Sequence, residues 1–347
     1  MKKLVALLMA LCMMLSMAAF ASAEEYYIGV SIFDYSNNFV GYIRNGIEFY
    51  VKEINGAGGD TVKILITDGE NNQATQTERI DTMIARGVQA ICVNPVDSSA
   101  GDTIVAKARE AGIPVIFFNR MPTEEVLNSY DKCYYIGSNV VYQGQLEGEM
   151  VADAWNAAME KYDTNKDGVL QYVLLKGTPG HSDAEDRANG FYEGVQAAGI
   201  KVEELAQQNA NWSTATAKDV MDTWIGRYGD QIEMVISGND AMALGAVEAL
   251  RAAGMITDEK TIPVIGVNGL PEVSELIKNG TMLGSVLTSP YGISQACIDL
   301  AINLIKGQDA VEGTAWELEN GKIVRIPETK ITIDNVDEAV SAYKLAQ

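Results

Sequence analysis

The feature that most limits the fold is an alternation of short apolar runs with longer amphipathic stretches. Runs rich in β-branched residues fall at 27–32, 62–66, 90–93 and 114–118, with helical periodicity at 39–54 and again through about residue 85. Such runs suit parallel strands buried on both faces. A looser stretch, 121–132, interrupts the series. It then restarts at 134–136, 172–175, 234–236 and 263–267, with helices near 139–160, 184–199, 213–226 and 241–253. One sheet of this many strands would be large. Two α/β lobes, each a doubly wound parallel sheet, are the simpler account, and 347 residues suffice for both cores.

The first 23 residues differ from the rest. Lys2 and Lys3 open the chain, 4–20 is nearly all apolar, and Ala21-Ser22-Ala23 ends the segment with small residues before Glu24 and Glu25. This pattern predicts a secretory signal cleaved after Ala23 and a protein exported to the periplasm or the outer cell surface. A retained anchor is the competing reading, because the apolar run is about as long as a short span.

Charge and cysteine content narrow the function classes. The formal net charge is −21, and loss of Lys2 and Lys3 with the leader makes it more negative still. Such a chain repels phosphate backbones and anionic lipid surfaces, which excludes nucleic acid as a partner. Beyond Cys12 in the leader, Cys92, Cys133 and Cys297 are too few and too odd for a disulfide framework, so buried free thiols are expected.

Open parallel sheets bind ligands at the carboxyl ends of their strands. The residues following the predicted strands include Asn37 and Phe39, Asn94, the segment Lys176 to Asp183, Asn239 and Asp240, Asn268, and Thr288. Short planar polar side chains recur there, with few catalytic types among them. Each could equally cap a helix, and Asp240 is read as a cap. His181 is the single histidine and opens a helix. Asp183 and Arg187 lie four apart on that helix, either as a surface ion pair or as a pair converging on hydroxyls. Ser182 and Glu185 have capping-box spacing. Phe39 and Trp212 are aromatics just past strand ends. They are either core residues or platforms for the apolar faces of a sugar ring.

A second constellation is Asp163-Thr-Asn165-Lys-Asp167-Gly168-Val169-Leu-Gln171. It has oxygen-bearing side chains at loop positions 1, 3, 5 and 9, glycine at 6, and Val169 offering its carbonyl. This predicts a structural Ca2+ site. Position 12 is Leu174, so a remote carboxylate must complete the shell, and Glu233 at the start of a later strand is the candidate.

Together these motifs resemble the galactose/glucose-binding branch of the type I periplasmic binding protein family, which serves bacterial ABC transport and chemotaxis. The likeness covers essentially the whole chain after the leader. It is most specific over 163–187, 217–224 and 239–250. The resemblance implies two hinged lobes joined by three crossovers, with the ligand in the cleft between them. It divides the chain into 24–118 with 290–324 as the amino-terminal lobe, and 119–289 with 325–347 as the carboxy-terminal lobe. It implies that Phe39 and Trp212 stack on a sugar ring, that Asn94, His181, Asp183, Arg187 and Asn239 bond its hydroxyls, and that Glu233 joins the calcium loop.

Three positions depart from that branch: Asn37 and Asn268 stand where it carries aspartates, and Thr288 where it carries asparagine. An amide keeps one acceptor but adds an N–H2 that needs its own partner. The expected ligand is therefore D-galactose, D-glucose, or another hexose or glycoside. The expected partners are that monosaccharide, a membrane ABC permease and a chemoreceptor, with the chain acting as a monomer. Closure of a hinge on the sugar is the expected mechanism, as in periplasmic binding proteins generally. Two rivals are weaker. A glycosidase usually needs two carboxylates, and only Asp183 is in place. A sugar-sensing repressor needs an amino-terminal DNA-binding segment where this chain has an apolar leader.

Overall fold

A computed structural model describes residues 23–258 and 260–343. The expected leader and its cleavage site lie almost wholly outside these residues. The first part of the chain runs β1 (Glu25–Ile32), α1 (Asn38–Ala57), β2 (Thr61–Asp68), α2 (Gln73–Ala85), β3 (Ala90–Val93), α3 (Gly101–Ala111), β4 (Val115–Phe118), α4 (Glu124–Asn128) and β5 (Cys133–Gly137). These strands are parallel; the apolar side chains of the inner strands β3 and β4 are sealed, while the edge strand β2 leaves Ile64, Leu65 and Ile66 half-buried.

The second part runs α5 (Val140–Ala157), α6 (Met159–Tyr162), β6 (Leu170–Lys176), α7 (Ser182–Ala197), β7 (Val202–Asn209), α8 (Thr214–Tyr228), β8 (Met234–Ser237), α9 (Asp240–Ala252), β9 (Val264–Asn268), α10 (Ser274–Lys278) and β10 (Met282–Thr288). The chain then returns through α11 (Pro290–Ile305) and β11 (Ile323–Arg325), and crosses again to β12 (Glu328–Ile331) and α12 (Val336–Tyr343).

The described residues build two six-stranded sheets, ordered β11-β5-β4-β3-β1-β2 and β12-β10-β9-β8-β6-β7. All pairings are parallel except β12 against β10. The return of α11 to the first lobe is explicit in its bonds. Ser294 Oγ donates to the Ile43 carbonyl, and Tyr50 donates to Asp299, both across α1 and α11.

One expected boundary is corrected. Residues 119–137 belong to the first lobe, because β5 pairs in parallel with β4 from Val115 opposite Cys133. The stretch 121–132 only looked like a linker. It contains α4, capped by Thr123 Oγ1 at the Val126 amide, and so forms one more strand–helix–strand crossover of the same sheet. The first passage between lobes therefore falls after Gly137. The edge strand β7 was not anticipated: its sequence, VEELAQQN, lacks a β-branched run because none of its residues is fully buried.

Three chain passages join the lobes, after β5, after β10 and after β11, and they are tied to one another. Arg325 Nη1 donates to the Ser138 carbonyl at 3.0 Å, and the Asn139 amide donates to Glu328 at 2.5 Å. Gln143 Nε2 donates to both Ser138 Oγ and Thr288 Oγ1 at 2.8 Å. No helix among the described residues is long and apolar enough to cross a membrane.

Candidate functional site

In each sheet the strand order reverses beside the first strand of that lobe, between β1 and β3 and between β6 and β8. Ligands of open α/β sheets bind at such switch points. The carboxyl ends of the two sets of strands enclose one cavity between the lobes, a place where small-molecule sites commonly form. Its wall takes Phe33, Asn37, Phe39, Asn119 and Arg120 from the first lobe. His181, Asp183, Arg187, Trp212, Asn239 and Asn268 come from the second.

The helix starts set the polar groups. Asn37 caps α1 with Oδ1 accepting from the Val40 amide at 3.1 Å, and Asn239 caps α9 with Oδ1 accepting from the Met242 amide at 2.9 Å. His181 caps α7, its Nδ1 accepting from the Asp183 amide at 3.3 Å. That bond requires a neutral imidazole with its proton on Nε2, and Nε2 is buried with no partner. Burial holds the His181 pKa below the usual histidine value, against the opposing pull of Asp183. Capping a helix and lining the cavity are thus not alternatives here: the same residues do both.

Three local expectations are corrected. The α7 cap is His181 and not a Ser182–Glu185 box, since Glu185 turns out to meet Lys176 at 2.9 Å. Arg187 is not held by Asp183. Its Nε and Nη2 donate to Gln143 Oε1 at 3.1 and 2.5 Å, its Nη1 to the Gly238 carbonyl at 2.6 Å, and its guanidinium lies 5.4 Å from the Trp212 ring. Asp240 is not the cap of its helix. Fully buried, it accepts from the Leu270 amide at 2.7 Å and from Ser285 Oγ at 2.8 Å, and so anchors the loop that carries Asn268. Burial raises its pKa to about 7.

Trp212 sits at φ 60° after Asn211 at φ 54°, two consecutive left-handed residues that L side chains adopt at a cost of roughly 1–2 kcal/mol each. The turn swings the indole over Gly177, where an added Cβ would come 1.9 Å from Trp212 Cζ2. Gly177 is thus required by the indole rather than by its own backbone. Asn268, at φ 123°, has its carbonyl bonded by Tyr343 at 2.8 Å.

Two expected ligand residues do not line the cavity. Asn94 is fully buried one layer back, with Nδ2 donating to the Phe118 carbonyl at 3.3 Å and to Asn119 Oδ1 at 3.2 Å. Asn119 occupies the wall instead. Thr288 is also buried, its hydroxyl taken by Gln143. Sequence reading missed Phe33, Asn119, Arg120 and Gln143. Asn119 and Arg120 follow β4 directly, so the rule applied at the other strand ends would have found them. Gln143 had no such signal. Arg120 donates to the carbonyls of Pro95 and Val96 at 3.1 and 2.8 Å, with its guanidinium 3.7 Å from the Phe33 ring. Burial lowers its pKa to about 10, so it stays charged at neutral pH.

The loop 163–171 curls on itself, with Lys166 and Gly168 left-handed. Asp163 Oδ1 and Oδ2 accept from the amides of Asp167 and Gly168, and Asp167 Oδ1 accepts from that of Val169. Asn165 and Gln171 amides meet Asp167 Oδ2 at 3.0 and 2.9 Å. Glu233, at the start of β8, accepts from Thr164 and from the Gln171 amide, which brings it to the loop as the spacing anticipated. Among the described residues no three acidic, histidine or cysteine side chains converge as a metal cluster.

Comparison with known proteins accords with this architecture. A family model described as "Periplasmic binding protein domain" matches residues 28–309. The chain is 39% identical over 325 residues to the D-galactose/methyl-galactoside binding periplasmic protein MglB of Haemophilus influenzae, covering 93% of this chain and 95% of that one. A solute-binding protein from Bacillus halodurans with bound myo-inositol superposes with a TM-score of 0.76 at 25% identity, over 93% of this chain and 99% of that chain. A galactofuranose-binding protein shares the fold, with a TM-score of 0.78 at 23% identity over 93% and 100% of the two chains. Two parallel-dominated lobes, three crossovers, a cavity at both switch points and a family match over most of the length place this chain in the type I periplasmic binding protein family.

Proposed function

We propose that this protein is the exported solute-binding component of a sugar ABC transporter and that it closes around one hexose. D-galactose and D-glucose are the first sugars to test. The observation that carries the reading is the cavity itself. Phe39 and Trp212 approach from opposite lobes, and Asn37, Asn119, His181, Asp183, Arg187 and Asn239 surround them. Aromatic faces match the C–H faces of a pyranose, and planar polar groups match its hydroxyl rim. A ligand bonded from both lobes stabilises the closed arrangement more than an open one, and that difference drives closure. A permease would read the closed shape. Delivery to a chemoreceptor is a further role consistent with the same closure.

The likeness to a D-galactose/methyl-galactoside binding protein supports the hexose assignment, whereas a structural neighbour with myo-inositol supports a cyclic polyol more broadly. The deciding experiment is mass spectrometry of the small molecule released on denaturing the purified protein, followed by calorimetry with monosaccharides. Recovery of an intact hexose supports a carrier. A ligand-free protein that binds no sugar, or one that returns a cleaved product, overturns it.

The proposal includes Ca2+ held by Asp163, Asn165, Asp167, the Val169 carbonyl, Gln171 and Glu233. The donor set is all oxygen once the Asn165 and Gln171 amides turn their carbonyls inward, which suits a hard cation. The ion would clamp the α6–β6 loop to the start of β8. Chelation should lower the melting temperature reversibly, with Ca2+ restoring it. An unchanged melting curve in chelator removes the ion from the proposal.

A further inference from the structure

The hydrogen-bonding capacity of the cavity is tilted toward donation, and helix capping is the cause. Asn37 and Asn239 each have one Oδ1 lone pair engaged by their own helices, so each presents two N–H donors against one remaining acceptor site. Asn119 is in the same state, with one Oδ1 lone pair engaged by Asn94 and its N–H2 unengaged by that bond. His181 has spent Nδ1, and its Nε2 proton is buried and unpartnered in a residue only 8% exposed. The guanidiniums of Arg120 and Arg187 add two buried charges. Against these stands one charged acceptor in the wall, Asp183. The amino ends of α1, α7 and α9 also open on the cavity, and each favours negative charge.

Every hydroxyl of a neutral sugar brings a proton that needs an acceptor. A carboxylate brings only acceptors, and its bonds to such donors are roughly twice as strong as neutral ones. We infer that the preferred ligand is an acidic monosaccharide, a pyranose bearing one carboxylate such as a hexuronate, whose acid group the Arg120 and Arg187 guanidiniums meet. Asp34 and Asp97, in chambers flanking the cavity, disfavour a doubly charged sugar phosphate. This inference rests on the sugar-carrier reading and narrows its ligand class.

The test is calorimetry of the full chain with D-galacturonate, D-glucuronate, D-galactose and D-glucose in low and high salt. The uronate should bind at least about tenfold tighter than its neutral counterpart. Arg120→Gln should abolish that preference, and Arg120→Lys should retain most of it. Because Arg120 also braces the Pro95–Val96 turn, Asn37→Asp serves as a second variant: aspartate caps α1 equally well, adds an acceptor, and should move the preference about tenfold toward the neutral hexose. Neutral hexoses that bind as tightly as uronates, or a preference untouched by either variant, overturn the inference and leave the carrier reading standing. Failure of all four sugars to bind overturns the inference and removes galactose and glucose from the carrier reading.

Discussion

Gln143 holds Arg187 from behind. Its Oε1 accepts from Nε and Nη2 of the guanidinium, while its Nε2 donates to Thr288 and Ser138 on two of the three interlobe passages. One buried amide thus links a cation in the cavity wall to the passages between the lobes. Gln143→Leu would leave a buried guanidinium short of an acceptor, a cost of about 1–3 kcal/mol. It should weaken sugar binding about 10- to 100-fold and leave the liganded protein more open in small-angle scattering. Thr288→Val should act in the same direction, more weakly, and Thr288→Ser should restore both readouts.

Trp212 and Asp183 supply a face and a charged acceptor from the same lobe. Alanine at either position should reduce affinity by at least about 100-fold, because truncating a central aromatic or charged anchor typically costs 2 kcal/mol or more. Circular dichroism and melting should report an intact fold, since neither side chain belongs to the sealed cores of the sheets. Unchanged affinity in calorimetry would remove the cavity from the account.

His181 predicts a pH dependence with a definite sign. Its pKa is depressed in the fold, so the neutral form prevails above the ordinary histidine range and its contribution to stability is fully present there. As pH falls below about 6.5 the unfolded chain takes up the proton first and that contribution declines. Protonation of Nδ1 in the fold also breaks the α7 cap. Affinity for a neutral sugar, measured by calorimetry, should be flat from pH 8 to 6.5 and fall at lower pH. His181→Asn, which can still cap, should lose that dependence.

Asp240 predicts the opposite trend in stability. Its folded pKa of about 7 lies above that of an unfolded aspartate, so the group favours folding most at low pH. That contribution is lost as pH rises through 7. Asp240→Asn removes the charge but weakens the bonds to Ser285 and Leu270, which are worth about 1 kcal/mol each. In thermal melts the variant should be less stable than the parent near pH 5 and should match or exceed it at pH 8.

The architecture was legible in the chain because parallel strands buried on both faces must be β-branched and unbroken, and the helices between them must show a 3.6-residue period. Reading past the strand ends likewise reached Asn37, Phe39, His181, Asp183, Arg187, Trp212, Asn239 and Asn268, since in this topology the loops after the strands and the helix starts that follow them border the cleft. Only the tertiary structure decided which strand joins which sheet, as with β5, because pairing is a contact between segments distant in sequence. Only it exchanged Asn94 for Asn119, since depth below the cleft depends on how far each strand projects beside its neighbours. Gln143 and the donor-rich character of the site also required it. A side chain's remaining hydrogen-bonding capacity is known only once its backbone partners are in place.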